Sequence, residues 1–163
     1  MGLDMYFFAK KTTYKSFSKW DEPDRTNNVN YPKDLKIFSD YIYDRNFKSA
    51  ETETRYQIGY FRKFNALHSY IVKTFANGVD DCQDIILYRE DVEQIKKVLD
   101  DVLKANPVEK AKELLPTQSG FFFGGTAYDE YYFEDVKDAA DLMQNFLDNF
   151  DFESYQLVYQ ASW

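Results

Sequence analysis

LDMYFFA at residues 3–9 and YQLVYQA at residues 155–161 are the stretches that decide the fold. The first is aromatic and apolar and is followed by Lys10 and Lys11, which is typical of a buried or half-buried strand. The second alternates between two sets of side chains with the period of a strand. We therefore predict that the two ends of the chain pair with each other in one sheet.

Between these strands the longest periodic stretch is QIGYFRKFNALHSYIVKTFAN, residues 57–77. Its apolar side chains recur every three or four positions, which is typical of a core-facing helix. Asn77 and Gly78 are the residue types at which helices commonly end in the left-handed conformation. We therefore predict one helix over 57–77. The side chains expected on its solvated side are Arg62, Ala66, Ser69 and Lys73.

Two further helices and a short turn follow along the chain. Apolar spacing predicts a helix over about residues 90–104, and Pro107 interrupts it before a further turn or two. A final helix is predicted over about residues 129–150. Its expected inner face consists of Phe133, Val136, Ala140, Met143, Leu147 and Phe150.

Two short strands and one long polar excursion complete the predicted domain. IILY at residues 85–88 predicts a strand, and TQSGFFFGG at residues 117–125 predicts a short buried strand between glycine turns. Residues 11–55 are polar and lack a sustained period, with a short helix expected near residues 34–43. The sequence thus predicts a single α+β domain over residues 1–163, in which a small sheet with both terminal strands packs against about three helices.

The composition indicates a cytoplasmic globular protein with an aromatic core. The 163 residues include 14 Tyr, 15 Phe and 2 Trp, which supply a large apolar area. Cys82 is the single cysteine, so an intramolecular disulfide is excluded and a reducing compartment is expected. We expect neither a signal peptide nor a membrane span, because no run reaches about 18 apolar residues.

The formal charge of −8 is concentrated towards the end of the chain. Residues 1–75 carry 13 basic and 9 acidic side chains, a balance of +4, and residues 76–128 carry 6 and 10, a balance of −4. Residues 129–153 carry 1 and 9, a balance of −8. Direct binding to nucleic acid is disfavoured because phosphates would be repelled.

The acidic segment predicts a protein partner with a basic groove, such as a host nucleic-acid-handling protein. Carboxylates can occupy the positions of phosphates and steer association electrostatically. The residues predicted to bind this partner are the acids and neighbouring tyrosines Tyr128, Asp129, Glu130, Tyr131, Tyr132, Glu134, Asp135, Asp138 and Asp141. The oligomeric state is left open.

An alternative function is the binding of a small anionic ligand or nucleotide. Arg62, Asn65 and His68 follow one another at three-residue steps and could form a polar edge on the predicted helix. Glycines would supply flexible backbone beside them, and the candidates are Gly120, Gly124 and Gly125. His68 is the only histidine, and the favoured interpretation is a partly buried side chain with a structural hydrogen bond. A nuclease or hydrolase that uses His68 is a third, weaker hypothesis.

No motif in the chain indicates a metal, a cofactor or a catalytic residue. Asp80, Asp81, Cys82 and Asp84, even with His68, do not match the spacing of a calcium or zinc site. The nucleophile, metalloprotease and dinucleotide signatures are also missing from the sequence. A non-enzymatic protein without cofactor is therefore favoured over an enzyme.

Four segments resemble a family of small proteins of phages and prophages. They are MGLDMY at the N-terminus, GYFRKFNALHSYI, NGVDDC and LPTQSGFFFGGTAYDEYYFEDV. The family usually has Tyr-Trp-Arg-Lys-Ala-Asn where this chain has the segment 60–65. Phe61 keeps the aromatic ring, and Phe64 adds bulk in place of alanine.

This resemblance implies a biological setting rather than a reaction. Accessory proteins of mobile elements include small acidic inhibitors of host defence nucleases. The resemblance therefore implies an anti-defence inhibitor, for example of a CRISPR effector, that acts in the cytoplasm of the host cell.

Overall fold

The structure is a computed structural model that describes residues 2–12, 33–41, 53–104, 107–120 and 123–163. The strands in these ranges are β1 (Asp4–Thr12), β2 (Glu53–Arg62), β3 (Ile85–Leu87) and β4 (Gln156–Ser162). The helices in these ranges are α1 (Asn65–Phe75), α2 (Arg89–Leu103), α3 (Pro107–Leu114) and α4 (Glu130–Asn149), with a 3₁₀-helix at Lys33–Tyr41.

The four strands form one antiparallel sheet in the order β2-β1-β4-β3. The predicted pairing of the two chain ends is confirmed, because Phe7 of β1 lies opposite Tyr159 of β4. The terminal strands are thus the two central strands of the sheet. Between β1 and β2 the register shifts at Ile58, which is the extra residue of a β-bulge. The predicted α+β class is confirmed.

One face of the sheet carries the core. Alternate residues of β1 are buried, as the period of a strand requires, and Phe7 contacts Phe146 of α4 with ring centroids 5.7 Å apart. Gly59 of β2 allows α4 to approach closely, because a Cβ there would lie 2.8 Å from Leu142 Cδ2. The same helix also packs against α2. No helix in the described ranges is both long and apolar enough to cross a membrane.

The prediction of one helix over residues 57–77 is wrong. Residues 53–62 form β2, which pairs with β1 along its whole length, and the helix begins only at Asn65. Between them Lys63 adopts a left-handed conformation with φ of 64°, and its amide donates a 2.8 Å hydrogen bond to the Leu3 carbonyl. Sheet pairing therefore overrides a helical spacing that the aromatic residues produce by coincidence.

The prediction of which side chains face solvent is also partly wrong. Ala66 and Ser69 are buried, whereas Lys73 is exposed as predicted and Arg62 is exposed on β2. The helix contacts both the sheet and the loop after α3, because the His68 ring lies 6.1 Å from the ring of Tyr159 and 5.5 Å from that of Phe123. Because α1 contacts more than one part of the fold, the positions of its apolar residues alone do not predict which side faces solvent.

The other predicted helices and the strand at residues 85–88 are confirmed within a few residues. The turn after Pro107 is a complete helix, α3, so four α-helices lie in the described ranges rather than about three. The strand predicted over 117–125 is wrong for residues 117–120 and 123–125, which are irregular, and residues 121–122 lie outside the described residues.

The structure describes only part of the predicted excursion over residues 11–55. Its first two residues belong to β1 and residues 53–55 belong to β2, because both strands extend further than predicted. The helix expected near residues 34–43 corresponds to the 3₁₀-helix, which buries Leu35 and Phe38. The remainder of the excursion lies outside the described residues.

Candidate functional site

His68 lies at the centre of a closed hydrogen-bond network. Its ring is 1% exposed, with Nδ1 at 2.7 Å from the Tyr159 hydroxyl and Nε2 at 3.0 Å from Oδ2 of Asp80. The three residues come from α1, β4 and the loop after α1. We call His68, Asp80 and Tyr159 the His68 network.

The His68 network satisfies both nitrogens of the imidazole. The Nε2–H donates to the Asp80 carboxylate, and Nδ1 then accepts from the Tyr159 hydroxyl, which is the tautomer that leaves no group unpaired. Burial raises the pKa of Tyr159 far above its ordinary value, and Asp80 adds to this shift, so the hydroxyl keeps its proton. With Phe123 and Trp163 packed near the ring, the arrangement is that of a structural contact.

Asn65 is a structural residue that holds the loop after α3. Its side-chain amide donates to the carbonyls of Phe123 and Gly125 at 3.1 and 2.9 Å. Its side-chain oxygen accepts from the Gln118 amide at 2.8 Å. The residue is 3% exposed, so these bonds use its polar atoms within the fold. Asn65 therefore ties residues 118, 123 and 125 of this loop to the start of α1.

A cleft of about 260 Å³ lies where this loop, the β2–α1 turn and the start of α4 meet. Arg62 and Lys63 line it from the β2–α1 turn, and Asp129, Tyr131 and Asp135 line it from α4. The remaining lining residues are Phe64, Asn65, Ala66, Thr117, Gly124, Gly125, Ala127 and Tyr132. We call this feature the cleft.

Gly124 allows the loop to approach the β2–α1 turn. Its φ is 96°, in the left-handed region, and a Cβ there would lie 2.9 Å from Lys63 Cβ. A side chain at this position would therefore meet both backbone strain and a steric clash. Gly120 has a different role, because a Cβ on it would lie 2.7 Å from the Phe123 ring.

The acidic side of the cleft contains one partly buried carboxylate, Asp135, without an ion pair to described residues. Burial, together with the neighbouring carboxylates of Asp138, Glu134 and Asp129, raises the pKa of Asp135 to about 6. Asp129 is the N-cap of α4 and accepts from the Tyr132 amide at 3.1 Å. Asp135 forms no ion pair with a described residue.

The exposed side of α4 continues this negative charge. Glu130, Glu134, Asp138 and Asp141 are exposed and lie within roughly 80° of one another around the helix. We call these four residues the acidic face. No residue in the described ranges forms an ion pair with any of them.

Acids on the neighbouring helices differ from the acidic face because lysines neutralise several of them. In α2, Lys96 pairs with Asp100 at 2.5 Å, and Lys104 at its end pairs with Asp101 at 2.6 Å. In α3, Lys110 pairs with Glu113 at 2.9 Å. The acidic face is therefore a group of four neighbouring acids that lack such lysine partners among the described residues.

The tyrosines of the predicted partner surface have three different environments. Tyr131 is 77% exposed and stands beside the cleft. Tyr128 is partly buried, and its hydroxyl accepts from the Thr117 amide at 3.2 Å. Tyr132 is 6% exposed and donates to the Leu115 carbonyl at 2.8 Å, so its side chain belongs to the core. Of the three, Tyr131 is the one free to contact a partner.

The structure brings together only part of the predicted ligand site. Arg62, Asn65, Gly124 and Gly125 line the cleft, whereas His68 and Gly120 do not. Sequence reasoning missed Lys63, because the single helix predicted over this region left no turn there. It also missed that acids from α4 line the same cleft. No local signal marks that contact, since it depends on how α4 packs.

No metal centre is found in the part of the chain that the structure describes. No group of three or more His, Cys, Asp or Glu residues there is arranged to hold a metal ion. In the acidic loop after α1, Asp80 contacts His68 and Asp84 accepts a bidentate bond from Arg55 at 2.9 and 2.7 Å. These two carboxylates are thus used in structural contacts.

Comparisons with protein-family models, curated proteins and solved structures found no match to this chain. The resemblance to a phage protein family therefore stays a prediction.

Proposed function

We propose that the chain is a non-enzymatic binding protein whose acidic face docks onto a basic groove of a nucleic-acid-binding protein and blocks it. The observation that carries the proposal is the acidic face itself, four exposed carboxylates on one side of α4 without ion pairs to described residues. Lysine and arginine side chains of a partner would pair with these carboxylates, beside which α4 itself offers only Lys137 as an exposed cation.

Crowding of like charges adds to the driving force for such binding. The raised pKa of Asp135 reflects burial together with the repulsion of three neighbouring acids. A basic partner would relieve this repulsion. Carboxylates spaced along one helix side would also attract a positively charged groove from a distance and accelerate association at low salt.

Tyr131 is the natural anchor of the proposed interface. It is 77% exposed and lies at the N-terminal end of the acidic face. Tyrosine is enriched among the residues that dominate binding energies, because it buries a large rigid area and offers a hydroxyl. Arginine side chains of a basic partner could also stack on its ring.

The resemblance to phage proteins narrows the proposed partner. Under this proposal the protein is a phage-encoded accessory inhibitor of a host defence nuclease, of the CRISPR-effector type, and acts in the host cytoplasm. The chemistry of the acidic face supports only the class of the partner, a protein that binds nucleic acid through a basic groove.

Capture from a nuclease-treated bacterial lysate at low salt tests the proposal. We expect the unsubstituted protein to retain a nucleic-acid-binding protein that high salt releases. Reversal of the acidic face with Glu130→Lys, Glu134→Lys, Asp138→Lys and Asp141→Lys should abolish that retention. The purified partner should then lose its labelled nucleic acid to the unsubstituted protein but not to the reversed variant.

A matched control separates the acidic face from the total charge. Glu90, Glu93, Glu109 and Glu113 are exposed acids on α2 and α3, and their reversal to lysine changes the net charge by the same amount. This control should retain the partner and compete with nucleic acid. Equal behaviour of the two reversed variants would contradict docking through α4.

A second candidate function is the binding of a small ligand in the cleft. The observation that favours it is that Arg62, Gly124 and Gly125 line one cleft, as the ligand hypothesis expected. A purely anionic ligand is disfavoured because Asp129 and Asp135 line the same space. Titration with inorganic phosphate tests the anionic form, which predicts binding that Arg62→Gln removes.

A further inference from the structure

We propose that the cleft binds a dipolar ligand that carries a carboxylate and a guanidinium, as free arginine and the C-terminal arginine of a peptide both do. The inference rests on the second candidate function, ligand binding in the cleft, and is independent of docking through the acidic face. The geometry that supports it is one cavity with Arg62 and Lys63 from the β2–α1 turn and Asp129 and Asp135 from α4.

The opposite charges of the cleft do not neutralise each other directly. The ion pair that Arg62 makes is a long one of 3.9 Å to Asp4, which is outside the cleft lining. Within the described residues, neither Arg62 nor Lys63 pairs with Asp129 or Asp135. The charged groups that act on Asp135 are acids from the beginning of α4. A ligand with separated charges would fit between these two sets of groups.

The cleft is small for a ligand site. Its volume is about 260 Å³. This is below the range of about 300–1,000 Å³ for sites that enclose drug-sized ligands. A nucleotide would therefore project from the cleft, whereas an amino acid would be accommodated.

The acidic side favours a guanidinium over an ammonium group. A guanidinium is planar and donates in parallel pairs to carboxylates, so it can use the oxygens of Asp129 and Asp135. Tyr131 lines the cleft and is largely exposed, which leaves its ring free for a cation–π contact that arginine makes more often than lysine. At the other end, Arg62 and Lys63 would pair with the ligand carboxylate.

Calorimetric titration of the full chain with four small molecules tests the two ends of the ligand separately. L-Arginine carries both charges, agmatine lacks the carboxylate, citrulline lacks the cationic guanidinium, and inorganic phosphate is an anion alone. We expect arginine to bind about tenfold or more tightly than agmatine and citrulline, because each loses one set of charge-assisted hydrogen bonds. A dipeptide that ends in arginine, compared with its C-terminal amide, distinguishes a peptide end from the free amino acid.

Two cleft variants and two matched controls locate the binding. Asp135→Asn and Arg62→Gln should each weaken arginine binding by about tenfold or more. Asp148→Asn lies on the same helix outside the cleft and the acidic face, and Lys73→Gln removes an exposed cation of α1, so both should leave arginine binding unchanged. Far-UV circular dichroism confirms that each variant is folded.

Each contrary outcome has a distinct meaning. Arginine that binds no more tightly than agmatine or citrulline would overturn the dipolar ligand, as would unchanged binding in Asp135→Asn. Binding of phosphate without arginine would overturn the inference and keep the second candidate function. No binding of any probe would overturn both, while partner capture by the acidic face would be unaffected.

Discussion

The His68 network and the cleft are two polar regions that differ in whether their hydrogen-bonding and charged groups have partners within the protein. In the His68 network each hydrogen-bonding atom of the imidazole has a partner inside the protein, and the ring is 1% exposed. In the cleft, Asp135 and Lys63 form no ion pair with described residues. The first region resembles a core contact and the second a binding surface.

This difference shows why a residue type is a weak guide to function. The single histidine is the most suggestive residue of the sequence, yet its surroundings use both of its nitrogens for packing. The four carboxylates of the acidic face, by contrast, form no ion pair with described residues. Polar groups that stay uncompensated in the fold are the ones with free energy left to gain from a ligand or partner.

The largest expected effect is the loss of stability on breaking the His68 network. His68→Ala leaves the Tyr159 hydroxyl and the Asp80 carboxylate without their partner and opens a cavity. We expect the free energy of unfolding to fall by about 3 kcal/mol or more, measured by urea denaturation. Lys73→Ala, on the exposed side of the same helix, should change it by less than about 0.5 kcal/mol. A loss below about 1 kcal/mol in His68→Ala would mean that the network is not structural.

An intermediate effect is expected at Asn65, which joins α1 to the loop beside the cleft. Asn65→Ala removes three hydrogen bonds and should lower the free energy of unfolding by about 2 kcal/mol. Hydrogen exchange should become faster at the Gln118 amide, which loses its acceptor, and stay slow in β1. Asn149→Ala, whose amide bonds only within α4, is the control. Unchanged exchange at Gln118 would contradict this role of Asn65.

A smaller effect of opposite sign is expected at Asp135. Asp135→Asn removes an uncompensated carboxylate, so the variant should be more stable than the unsubstituted protein at about pH 7.5. Because the side chain is only partly buried and solvent screens it, we expect a gain of about 1 kcal/mol, less than the full shift implies. Thermal and urea unfolding at several pH values measure it.

The pH dependence of this gain follows from the raised pKa. The pKa of Asp135 in the fold is about 6, above the value near 4 of an unfolded aspartate. The native chain therefore binds the proton more tightly, and its stability falls as the pH rises from about 4 through 6. Below about pH 4 the carboxyl is protonated in both states and the advantage of Asp135→Asn should vanish. A constant difference at all pH values would contradict this explanation.

The smallest effect on stability is expected at an ion pair whose two partners both belong to the protein. Lys96→Ala removes the contact to Asp100, one helical turn away in α2. The free energy of unfolding should fall by about 0.3–0.5 kcal/mol, and less at high salt. Double-mutant analysis with Asp100→Ala isolates the pair. A coupling above about 1 kcal/mol would show that paired surface acids contribute more to stability than proposed.

Much of the fold could be predicted from the sequence because its strongest signals are local. The strands at the two chain ends pair with each other as predicted. The long helix α4 begins and ends close to its predicted limits. The β2–α1 region could not be predicted, because aromatic residues at helical spacing also suit a strand beside β1. The pairing partner, and not the local spacing, decided the conformation there.

The candidate site could be predicted only in fragments. The sequence indicates the charge of α4 and the glycines of the loop, and both are found at the cleft. Their meeting at Arg62 and Lys63 depends on the left-handed turn at Lys63 and on the packing of α4 over Gly59. Neither contact has a local sequence signal, since both join segments that are far apart in the chain.

The measurement that most directly tests the central claim compares two variants in one binding assay. The dissociation constant of the captured partner is measured at low salt for the unsubstituted protein, for the reversed acidic face and for His68→Gln, each shown to be folded. We predict that the reversed acidic face loses binding and that His68→Gln binds like the unsubstituted protein. Binding that survives reversal of the acidic face, but is lost in folded His68→Gln, would contradict the claim and return the function to the His68 network.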